Sequence, residues 1–289
     1  MIWENLREEQ FRDAVKASNG LCVVPIGCLE KHGPHSPLGT DTIIATGTCV
    51  EAAEKEPAVV FPTMFFGDKT GAGEFAGTVI FSLETRWHIF RETCNEIYRN
   101  GFNKILFVNG HGGNKDMLGA FTRAMMQENP NIMLFVRSSS MGTGSAISEI
   151  LADPQAYPYL TEEDRTAMQD FVDQKKATGH ACFSETARAY YFRPETVRID
   201  GIGDESGDSI HRFDAFKKHA VSTHFAWMGD YPNSYTGSNE YVLNERIARA
   251  FTTCCIDHLA EAIKFLKEET VSNTYHAEWL AKQGRLNIL

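Results

Sequence analysis

The sequence has no uninterrupted apolar run long enough to span a bilayer, which excludes a helical membrane protein. Its first twenty residues, MIWENLREEQFRDAVKASNG, are charged and lack the apolar stretch of a secretion signal. CxxC pairs are missing as well. Seven cysteines, an odd number, stand at 22, 28, 49, 94, 182, 254 and 255, a pattern that suits reduced thiols better than a disulfide framework. A cytoplasmic protein is expected. Basic residues are in deficit: 28 Lys and Arg face 38 Asp and Glu, a formal charge of −10. Nucleic acid, whose phosphates demand a basic face, is therefore not an expected partner, and neither is a membrane. The phosphate-cradling pattern GxxxxGK[ST] does not occur.

What remains is a chain of 289 residues with 43% apolar content, enough for a sizeable core. β-rich runs are read at Leu21–Ile26 (LCVVPI), Ala58–Phe61, Thr78–Phe81, Lys104–Val108 (KILFV) and Ile132–Val136. Helical spacing follows Asp41 and covers Leu83–Asn100, with Gly101 as its stop. Further helices are expected through Met117–Met125, Glu162–Lys175, His180–Phe192 and Tyr241–Glu268. Strands alternating with helices predict an α/β fold, a mostly parallel central sheet flanked by helices on both faces. Residues 138–160, rich in Ser, Gly and Pro, read as a long loop. No linker or repeat breaks the chain, so residues 1–289 are expected to form a single domain.

Ligands of open α/β sheets bind beyond the carboxyl ends of the strands. Two polar clusters fall there. IGCLEKHGPHSPLGTD follows the first strand and carries Glu30, His32, His35 and Asp41. NGHGGN follows KILFV and carries His111 and Asn114 between glycines that permit close backbone approach. Four candidate ligands within twelve residues, with a fifth at another strand end on the same edge of the sheet, favour a metal site over a solvated loop. A third segment, TGHACFSETARAY, holds His180 and Glu185 five positions apart. That spacing puts them on different helix faces unless the first turn is irregular.

These residues match a known family. EKHGPHSPLGTD resembles the first signature of the creatininase (creatinine amidohydrolase) family, and NGHGGN and HACFSETA resemble its second and third; the likeness runs from Val23 to Glu240. It implies a three-layer α/β sandwich and a metal-dependent amidohydrolase, a homo-oligomer that is usually a hexamer, acting on a small-molecule amide. Carried over by position, Glu30, His32, Asp41, His111 and Glu185 match metal ligands, with Asp41 bridging two divalent ions, and His180 matches a residue beside the substrate. Three carboxylates and a bridging hydroxide would balance two divalent cations. Mixed nitrogen and oxygen ligation favours zinc, manganese or iron. Glu30, Asp41 and His111 are allotted to one ion, and His32, Asp41 and Glu185 to the other. Such ions activate water for attack on an amide carbonyl, and His180 would pass a proton to the leaving nitrogen. His35 and Asn114 are expected to support the ligands, and Lys176 to meet substrate. Cys28 and Cys182 are read as small packing side chains.

Departures from the family bear on substrate. Members that hydrolyse creatinine carry Tyr and Glu where this chain has Gly112 and Gly113, and Trp and Asp where it has Lys176 and Ala177. Both speak against creatinine. An aromatic lid is then lost, or replaced by Tyr157 or Tyr159. NGHGGN looks more like members that cleave formamides in riboflavin or deazaflavin precursor pathways, or that trim a peptide cofactor precursor. A metal-binding protein without turnover, or a metal-dependent lyase or isomerase, is the alternative of a different class.

Overall fold

A computed structural model describes residues 1–69 and 71–285. Four parallel strands form the sheet in the order β2-β1-β3-β4: β1 Leu21–Ile26, β2 Val59–Val60, β3 Lys104–Asn109 and β4 Met133–Ser138. Register pairs Leu21 with Lys104 and Ile26 with Asn109, so β1 and β3 end side by side. The strands alternate between faces, as period-two geometry requires. Cys22, Val24, Ile26, Ile105 and Phe107 pack with Ala14 of α1 (Glu8–Ala17), Phe90 of α3 (Leu83–Arg99) and Phe121 of α4 (Asn114–Glu128). Leu21, Val23, Leu106 and Val108 pack the other way, against Cys49 of α2 (Thr40–Lys55) and Leu259 of α10 (Glu245–Glu268). The result is a three-layer α/β sandwich.

A second apolar cluster joins α5 (Thr143–Ala152), α6 (Glu162–Asp173) and α7 (Phe183–Phe192) to α10, with Ile147, Phe171, Phe183 and Phe251 at its centre. Two short helices, α8 (Asp214–Lys218) and α9 (Phe225–Asp230), precede α10, and α11 (Val271–Arg285) follows it. None of the helices among the described residues is long and apolar enough to cross a membrane.

Several expectations are corrected. Thr78–Phe81 is no strand: Val79 N–H donates once, to Leu29 carbonyl at 3.1 Å, and Ile80 is exposed. The sheet edge beside Val60 is bridged by Ile2 instead. Residues 138–160 are not one loop, because Ala146, Ile147 and Ile150 bury a helical face in α5. The third-motif helix begins at Phe183 rather than His180, and the helix expected from Tyr241 begins at Glu245. There the Asn244 side chain accepts from Ile247 N–H, a cap that fixes the start.

Asp164 ties together the starts of α6 and α10, two helices of the second apolar cluster. It caps α6 by accepting from Thr161 N–H, and it also accepts from Asn244 and Arg246 at the head of α10. Burial pushes its carboxyl up, but the hydrogen bond from Arg246 and those from Thr161 and Asn244 outweigh this and hold it below the ordinary carboxylate range. Replacing Asp164 by Ala should cost about 2–3 kcal/mol in urea unfolding. The folded-state pKa is depressed, so this contribution is complete above about pH 4 and fades as pH falls further. An Asp164→Ala variant that matches the parent protein at pH 7 would refute the assignment.

Candidate metal and active site

The chain leaves β1 through Gly27 and leaves β3 through Gly110. A Cβ on Gly110 would stand 2.4 Å from Asp41 carbonyl, and one on Gly113 would stand 2.5 Å from His111 Nε2, so both positions must be glycine. Between these bends the loop 27–39 folds back into α2, and Asp41, in its first turn, lands beside Glu30. Glu30, His32 and Asp41 have no exposure at all, and His111 has 5%.

Backbone carbonyls fix which ring nitrogens face inward. A carbonyl only accepts, so His32 donates Nδ1–H to Glu30 carbonyl at 3.2 Å and turns Nε2 toward the carboxylates. His32 Nε2 lies 3.1 Å from Asp41 Oδ1 and 3.5 Å from Glu185 Oε2. His111 donates Nε2–H to Asp68 carbonyl at 2.7 Å, and its Nδ1 lies 2.9 Å from Glu30 and 2.8 Å from Asp41. Asn109 Oδ1 accepts from His111 N–H and from the Asn114 amide, while Asn114 Oδ1 accepts from Asp68 N–H at 2.7 Å. Asn114 thereby holds the very strand of backbone that orients His111.

Three overlapping ligand groups lie here; one joins Glu30, His32 and His180, and the other two share a carboxylate. Of these two, one contains Glu30, Asp41 and His111, with the Cys28 thiol 3.1 Å from Asp41; the other contains His32, Asp41 and Glu185. Asp41 belongs to both. Orienting a ring by a hydrogen bond on its far nitrogen, and sharing one carboxylate between two groups, is an arrangement able to hold metal ions. The donor set fits Zn, Mn or Fe without a thiolate, and burial keeps the Cys28 thiol protonated by raising its pKa well above normal.

His180 and Glu185 do converge. Ala181 takes the left-handed conformation (φ 62°), which swings His180 back over the helix start. Glu185 accepts from Ala181 N–H at 2.6 Å, pinning that turn. His180 donates Nε2–H to Lys31 carbonyl at 2.8 Å and lies 3.4 Å from Glu30 Oε2. His35 stands outside these groups. Its Nε2 lies 2.9 Å from Ala181 carbonyl and 3.0 Å from the Thr186 hydroxyl, so it clamps the first motif to the third.

Three features were not legible beforehand. Lys69 reaches in from the loop after β2, pairs with Glu30, and stacks over the Trp227 ring at 4.4 Å. Trp227, on α9, meets the His180 ring edge-on at 5.6 Å, so the aromatic wall of this site comes from there. Tyr157 and Tyr159 are placed elsewhere: Tyr157 is buried in the second apolar cluster and Tyr159 lies under Arg249. Lys176 is not brought to the carboxylates either, and its ammonium donates to Glu240 carbonyl. Arg188, one turn beyond Glu185, lines a cleft that also takes in His111, Gly112 and Glu185.

Electrostatics follow from burial. Glu30's carboxyl is pushed up by desolvation, yet His180, His111 and His32 bring it down to about 2. Desolvation lowers His32, but Asp41 and Glu185 raise it to about 9. His111 is raised well above normal in the same way, chiefly by Asp41 against desolvation. Burial lifts Glu185 to about 7 and depresses His180 to about 3, with His32's charge adding to the latter.

A family model described as "Creatininase: Creatinine amidohydrolase" matches residues 4–263. The chain belongs to the creatininase family. It is 28% identical to the creatinine amidohydrolase of Pseudomonas putida over 108 residues, 36% of this chain and 42% of that enzyme. The chain thus aligns with less than half the length of that relative. It is 29% identical to the mycofactocin precursor peptide peptidase of Mycolicibacterium smegmatis over 178 residues, 57% of this chain and 72% of that protein. A solved structure described as "Creatininase Mn" superposes with a TM-score of 0.69 at 19% identity, covering 93% of this chain and 99% of that one. This likeness establishes the shared fold.

A ligating imidazole is neutral, whereas His32 and His111 carry protons in the metal-free site near pH 7. Zinc binding near pH 7 should therefore release between about two and three protons, Glu185 adding to the two imidazoles, measured by calorimetry in buffers of different ionisation enthalpy. Affinity should rise with pH until the imidazoles no longer hold protons. Binding heats independent of buffer would contradict this arrangement.

Proposed function

We propose that this chain is a metal-dependent hydrolase of a C–N amide bond, with Glu30, His32, Asp41, His111 and Glu185 holding two divalent ions. The observation that carries the reading is the pair of ligand groups sharing Asp41, each with an imidazole oriented by a backbone carbonyl. When bound, such ions polarise a carbonyl and make water nucleophilic near neutral pH. The remaining work falls to the chain's own residues. Burial holds His180 toward its neutral form, and its Nε2–H is committed to Lys31 carbonyl. Nδ1 is then free to accept a proton as water is consumed and to hand it to the leaving nitrogen, the donor role assigned above. Trp227 stands against His180 and covers the site from α9. His35 holds the turn that positions His180.

Among amides, a peptide is favoured over creatinine. Gly112 leaves open space, with nothing within 4 Å of where its Cβ would be, and it opens on the cleft of about 290 Å³ beside His111 and Glu185. The peptidase relative is matched over 72% of its length. A metal-binding protein without turnover fits less well, since it has no need of a neutral imidazole aligned beside the ligands.

The test combines metal analysis with ammonia, formate and free-amine release from a panel of formamides, cyclic amides and short peptides. Metal without release from any of them would favour the binder. Asp41→Asn should strip at least one ion per chain and abolish turnover; a fully metallated, fully active variant would refute the scheme. His180→Ala should keep its metal and lose about 100- to 10,000-fold in kcat.

A further inference from the structure

Arg188 is a buried cation that makes no ion pair among the described residues, though its charge acts at a distance on Glu185. Its residue is 2% exposed, its Nε–H donates to Ser184 carbonyl at 3.0 Å, and Nη1 donates to the Ser139 hydroxyl at 2.8 Å. Among the described residues no acidic side chain lies within ion-pair distance of it. Every other buried cation here has such a partner: Lys69 has Glu30, Arg86 has Asp68, and Lys104 has Glu269. Buried charges are ordinarily paired, and a guanidinium, which cannot shed its proton, has no other way to neutralise itself.

Its position shows what completes the pairing. Glu185 and Arg188 are three apart on α7, a spacing that places both on one helix face. That face borders the cleft beside the carboxylate cluster, which both residues line. Elsewhere the cleft wall is hydroxyl-rich: Ser139, Thr143 and Ser184 are all at least nine-tenths buried and all contribute to it. Hydroxyl groups around a fixed guanidinium form a receptor for an oxyanion. One planar fork matches the two oxygens of a carboxylate, whereas a phosphate dianion calls for more positive charge than the cleft holds.

We propose that Arg188 reads a carboxylate on the substrate, so that the amide hydrolysed at the neighbouring cluster carries a free carboxyl group on the part that enters this cleft. The inference rests on the hydrolase reading for its meaning but not for its test. Arg188 acts as a specificity residue: it fixes the substrate's far end while the scissile bond lies at Glu30, His111 and Glu185. Lys176, the cation that the sequence offered for an anionic substrate, is bonded at Glu240.

The experiment uses zinc-loaded protein and two matched pairs, N-acetylglycine with N-acetylglycinamide and N-acetyl-β-alanine with its carboxamide. Calorimetric affinity is measured for each, and kcat/KM wherever turnover occurs. At least one acid should bind about 10- to 100-fold more tightly than its neutral partner, the range a charged hydrogen-bonded pair contributes. Arg188→Gln should reduce that ratio to within about threefold, and Arg188→Lys should restore part of it. Equal affinity of acid and carboxamide in the parent protein would overturn the proposal, and that comparison needs no variant. So would an undiminished preference in Arg188→Gln, because the carboxylate would then sit on the metal instead. If no amide is cleaved the hydrolase reading fails, while the affinity ratio still decides whether Arg188 binds a carboxylate.

Discussion

Three carboxylates share one space that water barely reaches, and most of the local structure answers that fact. Glu30 and Asp41 have no exposed surface, and the Glu185 side chain has 15%. Ionised groups at such depth are tolerable only when positive charge lies between them. In the metal-free protein the charge comes from protons on His32 and His111 and from the ammonium of Lys69. Those protons lie on the nitrogens that face the shared Asp41, the places from which the two ligand groups would hold their ions. On the proposed reading, protons stand where the ions would be held.

The sheet makes this possible by register. Ile26 pairs with Asn109, so β1 and β3 end together and their continuing chains diverge from one edge. Parallel strands buried on both faces are held by apolar alternation, and the register cannot slip without moving buried side chains onto the wrong face. The site inherits its precision from that. Glycine at 110 and 113 then lets backbone and imidazole approach within distances no side chain would allow.

Much of this could be read in the sequence because two of its signals are local. An apolar run ended by glycine marks a strand end, and dense titratable residues just after it mark a candidate ligand edge; Glu30, His32, Asp41 and His111 were singled out that way, and the fold brings them together. Glu185 and His180 were legible only through family likeness, because their meeting depends on a left-handed backbone at Ala181 that no spacing rule encodes. The errors have one cause, which is that burial by distant elements is invisible locally. Thr78–Phe81 has strand composition but pairs with none of the four strands, and the Ser/Gly-rich start of α5 hides the Ile147 and Ile150 that dock it on α10. Trp227, Lys69 and Arg188 arrive from segments whose role no motif announces.

Charge balance joins the proposed metal site to its neighbours. With both imidazoles neutral, the carboxylates of Glu30, Asp41 and Glu185 provide three negative charges against four from two divalent ions. Lys69 would keep its own charge while Glu30 is drawn into ligation, and Arg188 has no acidic partner to begin with. The loaded site is accordingly electropositive on both sides, at the Trp227 wall and along the α7 face of the cleft. Water-derived negative charge at the ions offsets part of that excess. On the proposal that Arg188 reads a carboxylate, the rest would be met by the substrate's own negative charge.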